Sequence, residues 1–431
     1  MSASVPALLI SAGASGQGKT TVTAALARHA VRSGRRVRVF KTGPDFIDPM
    51  ILERAAGSPV GQLDLWMGGP EHCRAQLSQA AYEADLILVE GVMGLYDGDP
   101  SSADLAQQFG LPVLLVLDAS AMARTFGALT LGLHAYRPEL MLHGVLANRV
   151  GGAGHAAMLA HSLSGPAAAI RFLGALERDP ALALPERHLG LVQAAELEDL
   201  ECRLERAADA VGAALSLDDI PAVTFTDAAL EPPPPLLAGV RIAVAHDAAF
   251  SFLYAANLQL LRAMGAELVH FSPLQDAGVP PADALYLPGG YPELHAARLA
   301  ANRTLLESVR LHVERGAPLL AECGGMMLLF EHLTDLEGRR HAMAGVLPGQ
   351  TVMCPRLQAL ALQSVAFAQG ELRGHSFHHS RLETPLEPIW QGRTQHGGRG
   401  EAVYRRGALT ASYIHFYWPS NPIAAAALFL P

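Results

Sequence analysis

Residues Gly13 to Thr20 read GASGQGKT, and this octapeptide constrains the fold more than any other stretch of the 431-residue chain. It satisfies G-x-x-x-x-G-K-[ST], follows the apolar run ALLISA (7–12) and opens a helical pattern over 19–33. A strand, a glycine-rich turn and a helix in that order curl backbone N–H groups around a phosphate, and the helix N-terminus adds partial positive charge. Gly13, Gly16 and Gly18 let the backbone approach closely. Lys19 is expected to reach the β/γ-phosphates of a nucleotide, and the Thr20 hydroxyl to ligate Mg²⁺.

The surrounding pattern agrees with such a loop. RVRVF (36–40), LILVE (86–90), PVLLVLD (112–118), LHGVLANR (142–149) and AIRFLGAL (169–176) are nearly continuous apolar runs, with helical stretches such as 122–136 between them. Runs of that kind predict a parallel sheet covered on both faces. Four consecutive prolines, 232–235, then interrupt the chain; they fit neither a helix nor a central strand and favour a stiff spacer. The expected organisation is a nucleotide-binding domain over 1–230, a Pro-rich linker over 231–238 and a second α/β domain over 239–431. In the second domain strands are predicted at 241–247, 266–271, 284–290 and 318–323, helices near 253–264 and 293–315, and shorter strand-like runs across 342–415.

Hydrophobic residues make up 50% of the chain and charged residues 17%, enough apolar surface for large cores. A formal charge of −9 and the lack of a basic tract argue against nucleic acid as a partner. Four scattered cysteines without a CxxC pair suggest neither zinc nor a disulfide framework. No apolar run reaches the roughly 18–20 residues that span a bilayer, and the first residues lack a basic n-region. A cytoplasmic protein without a membrane partner is expected.

A magnesium site needs carboxylates at the ends of neighbouring strands. FKTGPDFIDP (40–49) carries Asp45 and Asp48, and LILVEGVMGLYDG (86–98) ends its strand at Glu90 and continues to Asp97. Asp45 and Glu90 are read as metal ligands with Thr20, because an acid ending a buried strand is costly without a partner. Asp48, just before Pro49, is read as a helix cap. Asn148 either reads an adenine edge or is a plain turn residue.

A second chemistry is written in AECGGMM (321–327), where an apolar strand ends in Cys323 and two glycines follow. A nucleophile held on a sharp strand-to-helix turn needs such glycines, and Gly324 would give one oxyanion N–H. The second is expected from Gly290 in LPGGYPE (287–293). A cysteine nucleophile needs a histidine beside it, and His415, ending an apolar run near the C-terminus, is the best placed. GHSFHHS (374–380) groups His375, His378 and His379; HxxHH lacks a strong metal-ligand signature, and residues lining a polar crevice between the domains are the preferred reading over a metal site.

A nucleoside triphosphate site and an activated cysteine in one chain together suit ATP-driven amidation fed by glutamine. At this point the sequence resembles the cobyrinic (hydrogenobyrinic) acid a,c-diamide synthase family over nearly its whole length. The resemblance rests on GASGQGKT, KTGPDFIDP, EGVMGLYDG, LANRVGG, PERHLGLV (185–192), LPGGYPE, AECGGMM, GHSFHHS and SYIHFYWPSNP. It implies a dethiobiotin-synthetase-like P-loop domain followed by a class I glutamine amidotransferase domain. It implies ATP, Mg²⁺ and glutamine as requirements, amidation of the a and c carboxylates of a corrin through acyl phosphates, with c first, and Cys323 and His415 as the glutaminase pair. Asp45, Phe46, Ile47 and Asp97 would address the substrate, Phe46 and Ile47 by orienting its carboxylate. Assembly is not legible; a homodimer is carried as an expectation. Two departures matter. Typical class I amidotransferases have a glutamate two residues after the histidine, where this chain has Tyr417, so what orients His415 is open. Phe46 stands where a tyrosine would be equally at home. Two alternatives stay open: a diamide synthase acting on nickel sirohydrochlorin, and a regulatory P-loop ATPase with an inert second domain.

Overall fold

The apolar runs of the first half assemble side by side, as continuous hydrophobic strands must when both sheet faces are covered. The structure, a computed structural model, describes residues 2–182, 186–187, 190–191 and 193–431. Half of the PERHLGLV stretch, residues 185, 188, 189 and 192, lies outside the described residues. The chain divides into two compact units, Met1–Leu230 and Glu231–Pro431.

In the first unit the central strand is Ser2–Ala12, which pairs in parallel with Leu86–Glu90 on one side and Val113–Asp118 on the other. Val37–Thr42 and Gly61–Leu63 continue the sheet beyond the first neighbour, and Leu142–Val150 and Phe172–Glu177 beyond the second. This order puts the ends of Ser2–Ala12, Val37–Thr42 and Leu86–Glu90 side by side. The phosphate loop, the 43–48 turn and the loop after Glu90 therefore leave the same sheet edge. The helix Lys19–Arg32 buries Val22, Leu26 and Ala30 against one sheet face, with Leu8, Ile10, Leu88 and Val116. The helix Gly69–Glu83 covers the other face through Cys73 and Leu77, with Leu9, Val89 and Leu115. Burying a leucine-sized side chain contributes about 1.5–3 kcal/mol each, so these two layers fix the sheet. Two strands of this sheet were not predicted, Gly61–Leu63 and Ala222–Thr226. Ala222–Thr226 runs antiparallel to Ser2–Pro6, the outward-reaching start of the central strand.

The second unit repeats the logic with a mixed sheet. Glu267–Phe271, Arg241–Ala245, Ala284–Leu287, Leu319–Glu322 and Leu409–Ser412 run parallel in that spatial order. The sheet then continues antiparallel through Arg399–Arg406, Trp390–Thr394, Ala359–Phe367, Gly370–His378 and His415–Phe416. A four-stranded sheet of Arg340–Ala342, Phe330–Thr334, Leu347–Met353 and Ser380–Glu383 accompanies it. The helix expected over 293–315 is broken. Ala296–Ala301 ends and Arg303–Glu314 begins at Asn302, whose side chain accepts from Leu305 N–H and so starts a new helix. The prolines at 232–235 carry neither helix nor strand, whereas Leu237 is wholly buried among Ile242, Leu261 and Met264.

Candidate active sites in the two units

In the phosphate loop Gly16 and Gly18 take φ of +75° and +97°. At Gly18 a β-carbon would lie 2.2 Å from Asn148 Nδ2, so only glycine lets the loop and Asn148 meet. Asn148 Nδ2 donates to Gln17 O at 2.9 Å, and its Oδ1 accepts Arg149 N–H. One amide proton and one lone pair of Asn148 remain to meet a ligand. Gly13 opens the loop, and a β-carbon there would meet Leu117 and Leu133 only at ordinary contact distance. Lys19 starts the helix, is nearly buried, and donates to Ala14 O at 3.3 Å. Thr20 Oγ1 donates to Glu90 Oε1 at 2.8 Å.

The chemistry at the end of the second strand centres on a residue the sequence reading passed over. Lys41 is almost fully buried, and its Nζ lies 2.5 Å from Asp48, 2.8 Å from Glu90 and 3.5 Å from Asp45. Burial opposes its charge, but Asp48, Glu90 and Asp45 together hold it well above the usual lysine range. Three carboxylates around one ammonium leave an excess of negative charge. Accordingly burial pushes Glu90 up to about 7, and burial with Asp48 beside it pushes Asp45 up to about 7. Burial works against Asp48 too, but Lys41 outweighs it and lowers its value. Burial, then the neighbouring Lys41, lowers Lys19.

Asp45, rather than Asp48, caps the helix Ile47–Ala56: its Oδ1 accepts from Ile47 N–H at 2.9 Å and Asp48 N–H at 3.2 Å. Asp48 lies inside the first turn because Pro49 follows as a helix-compatible residue, and its side chain turns to Lys41 instead. Phe46 and Ile47 are half-buried at the start of that helix. Asp97 is exposed and folds back to accept Gly94 N–H at 3.0 Å. A cavity of about 860 Å³ is lined by Gly16, Gly18, Lys19, Thr20, Lys41, Asp45, Asp48 and Asn148 and extends to Arg178 and Asp179. Arg149, another residue the sequence reading passed over, holds φ of +57° at its wall and donates to Gly16 O and Asp118.

Whether these residues fit Mg²⁺ is a question of donor chemistry. Among the described residues no three His, Cys, Asp or Glu side chains are gathered as a ready metal cage. Mg²⁺ beside a nucleotide does not need one, since phosphates and waters supply most of its shell. The Thr20 hydroxyl and the wholly buried Glu90 carboxylate, whose Oε2 has no hydrogen-bond partner among the described residues, match that modest requirement. Asp45 fits less well, since one of its oxygens is committed to the helix cap.

In the second unit the strand Leu319–Glu322 stops at Cys323, and the helix Gly324–Leu329 starts immediately. Cys323 has φ 44° and ψ −108°, a conformation costly for a residue with a β-carbon and characteristic of a nucleophile elbow. The neighbouring strand end packs tightly on it. A β-carbon on Gly324 would lie 3.0 Å from Gly290 N and 2.8 Å from Pro292, which brings the amides of Gly290 and Gly324 to one place. On the other side Cys323 N–H donates to Ser412 O at 2.8 Å, which brings the segment 412–416 alongside. His415 is wholly buried, and a β-carbon on Gly289 would meet its Cε1 at 2.2 Å.

Desolvation dominates the electrostatics here. Burial pushes the Cys323 thiol above its usual range, with Glu293 adding to the shift, and holds His415 well below its usual value. Burial thus favours the uncharged form of both partners. Burial also raises Glu293 to about 7.

The GHSFHHS histidines serve three separate purposes rather than one metal site. His375 pairs with His415 across adjacent strands, and the rings stack with centroids 5.0 Å apart at 17°. Its Nδ1 lies 3.1 Å from the Tyr254 hydroxyl. His378 stacks on Tyr413 at 3.7 Å and reaches Glu401 at 3.1 Å, while the His379 carbonyl accepts Cys354 N–H. Tyr417, at the place of the usual glutamate, is wholly buried with its ring 5.3 Å from that of Tyr254.

Residues 8–192 match the CobQ/CobB/MinD/ParA nucleotide binding domain, and residues 241–423 match the CobB/CobQ-like glutamine amidotransferase domain. The chain is 60% identical over 427 residues to the hydrogenobyrinate a,c-diamide synthase of Stutzerimonas stutzeri, covering 99% of each chain. It is 58% identical to the protein of the same name in Pseudomonas aeruginosa, covering 99% of this chain and 98% of the other. It is 51% identical to the cobyrinate a,c-diamide synthase of Herminiimonas arsenicoxydans, covering 98% and 96%. The chain belongs to the cobyrinate and hydrogenobyrinate a,c-diamide synthase family.

Family membership carries the fold class read from the sequence: a P-loop nucleotide-binding domain followed by a glutamine amidotransferase domain. Among the described residues no helix is long and apolar enough to cross a membrane. In the phosphate-loop cluster, sequence reasoning missed Lys41 and Arg149. Lys41 did leave a trace, as a charge closing the otherwise apolar end of RVRVFKT.

Proposed function

We propose that this protein amidates the a and c side-chain carboxylates of cobyrinic or hydrogenobyrinic acid, using ATP and glutamine. The observation that carries this reading is end-to-end likeness to synthases of that name, in a chain that holds both a phosphate loop and a cysteine elbow. In the first unit the loop amides and Lys19 would hold the nucleotide phosphates, with Asn148 and Arg149 at the far side of the loop. Mg²⁺, held by Thr20 and Glu90, would neutralise phosphate charge during transfer. Asp45, Phe46, Ile47 and Asp97 would address the corrin. Lys41 offsets part of the charge of the surrounding carboxylates and so lessens the repulsion of a negatively charged substrate. Transfer of the γ-phosphoryl group to a side-chain carboxylate gives an acyl phosphate, and ammonia displaces phosphate from it to leave the amide.

In the second unit Cys323 would attack the glutamine carboxamide while His415 takes the thiol proton. Gly290 and Gly324 N–H groups would stabilise the oxyanion. His415 then returns the proton to the leaving ammonia, and water releases glutamate from the thioester. The raised thiol and depressed imidazole support a glutaminase that rests until substrates fill the site. Cytoplasm is the compartment that suits this chemistry.

The test is product mass after incubation with Mg-ATP and glutamine and, in turn, hydrogenobyrinic acid, cobyrinic acid and nickel sirohydrochlorin. Two successive acid-to-amide conversions of a corrin are expected. Conversion of the nickel substrate alone would overturn the corrin assignment. Cys323→Ala should abolish glutamine-driven amidation and keep ammonia-driven amidation; equal persistence of both would overturn the Cys–His assignment.

A further inference from the structure

The strand that presents the nucleophile carries a buried carboxyl group one residue earlier. Glu322 is 2% exposed, and both its oxygens are engaged. Oε2 accepts from the Tyr286 hydroxyl at 2.8 Å, and Oε1 accepts from Phe416 N–H at 3.2 Å. That N–H belongs to the peptide joining His415 to Phe416. The carboxyl group therefore grips the backbone that carries the imidazole, from the strand that carries the thiol.

The same peptide segment is strapped from other sides. Asn257 Nδ2 donates to Phe416 O at 2.8 Å while its Oδ1 accepts Trp418 N–H at 2.9 Å. Tyr417 N–H donates to Arg373 O at 2.8 Å. Of these straps only Glu322 comes from the Leu319–Glu322 strand, and only it is covalently adjacent to Cys323. Tyr286 lies on the neighbouring strand Ala284–Leu287, whose end brings Gly289 and Gly290 to the site. The Glu322 carboxyl group thus ties together the three strand ends that supply nucleophile, base and oxyanion amides. No acid follows the histidine at position 417, where the ring of Tyr417 packs on Tyr254 instead.

We propose that Glu322 is the positioning residue for His415, acting through the His415–Phe416 peptide, so that the strand presenting the nucleophile also orients its base. The proposal rests on the Cys–His reading of the site. Glu322 need not touch glutamine or exchange a proton; it needs one acceptor for Phe416 N–H and one polar atom for Tyr286. A glutamine side chain supplies both, its oxygen accepting and its NH₂ donating to the phenol oxygen. An alanine supplies neither.

The experiment compares Glu322→Gln and Glu322→Ala in the full chain with Mg-ATP and corrin substrate, driven once by glutamine and once by ammonium. Misorienting a base costs turnover rather than binding, so Glu322→Ala should lower the glutamine-driven kcat by about 30-fold or more with KM for glutamine within about twofold. Its ammonia-driven rate should stay within about twofold, and Glu322→Gln should keep the glutamine-driven kcat within about threefold. A wild-type kcat in Glu322→Ala would overturn the proposal. So would equal deficiency in Glu322→Gln and Glu322→Ala, or an equal fall of the glutamine- and ammonia-driven rates. Should Glu322→Ala fail to fold, Tyr286→Phe decides: a kcat loss confined to glutamine supports the proposal, and an unchanged kcat overturns it. Cys323→Ala separates the two levels, because glutamine-driven turnover in that variant would remove the dyad itself whatever Glu322 does.

Discussion

Lys41 and Glu90 form a fully buried ion pair, Nζ to Oε1 at 2.8 Å, on two neighbouring strands of the first unit. Thr20 donates to the same oxygen. One carboxylate thus links the phosphate loop to the lysine that compensates Asp45 and Asp48. Removing the lysine leaves buried charges unpaired, which costs about 3–5 kcal/mol where a buried pair is broken. Lys41→Met is therefore expected to lower the denaturant midpoint of the first unit and to abolish amidation from either nitrogen source. The stability loss should shrink as pH falls below about 7, where Glu90 and Asp45 take up protons and no longer need the lysine. Unfolding curves at pH 4 and pH 8 check this, and equal losses at both would contradict it.

Gly289 is a steric prediction. A β-carbon there would meet His415 Cε1 at 2.2 Å, so the imidazole must turn or shift. Gly289→Ala should reduce glutamine hydrolysis by about 100-fold, the scale set by angstrom-level misplacement of a catalytic group. Ammonia-driven amidation by the same protein should stay near wild type, since its chemistry belongs to the first unit. Parallel assays with the two nitrogen sources measure the contrast.

Installing the glutamate typical of other amidotransferases at position 417 should fail. Tyr417 is wholly buried with its ring against Tyr254, so a carboxylate there would be taken out of water into an aromatic contact. Tyr417→Glu is expected to destabilise the second unit by about 3 kcal/mol or more, a fall in Tm of roughly 6–12 °C, without raising glutaminase turnover. Calorimetry and glutamine hydrolysis decide it; a gain in turnover at unchanged Tm would contradict it.

Burial raises Glu322 from 4.5 to about 8. A carboxyl group that holds its proton more tightly in the folded state adds stability while protonated, and that stability is lost as pH climbs from 4.5 through 8. The slope is bounded by about 1.4 kcal/mol per pH unit for one proton. Glu322→Gln cannot ionise, so its Tm should fall less than that of the wild type between pH 5 and pH 8. Glu90, raised to about 7 by burial, contributes in the same direction in both proteins and cancels in the comparison. Identical pH profiles would mean that Glu322 is not held protonated.

The features legible in the sequence were those fixed by local chemistry. GASGQGKT follows a strand and opens a helix because its glycines and its lysine serve one purpose together. Cys323 could be read as an elbow because glycines are needed beside it, and the structure gives it the strained backbone such a turn requires. What stayed hidden depends on residues distant in sequence. Glu322 reads as an ordinary charge until the strand register puts Phe416 N–H and the Tyr286 hydroxyl on its two oxygens. Lys41 reads as a surface lysine until three acids from two loops close over it. The break at Asn302 was missed because the apolar spacing continues through it and only the cap marks the new start.

The antiparallel pairing of Ala222–Thr226 with Ser2–Pro6 has a bearing on biogenesis. Ser2 faces Thr226, so the peptide leaves the nucleotide-binding unit at the edge where it came in. That sheet has all its described strands by residue 226, before the four-proline run that begins at 232. The ribosome can thus deliver a finished nucleotide-binding unit while the cysteine-bearing unit is still being translated.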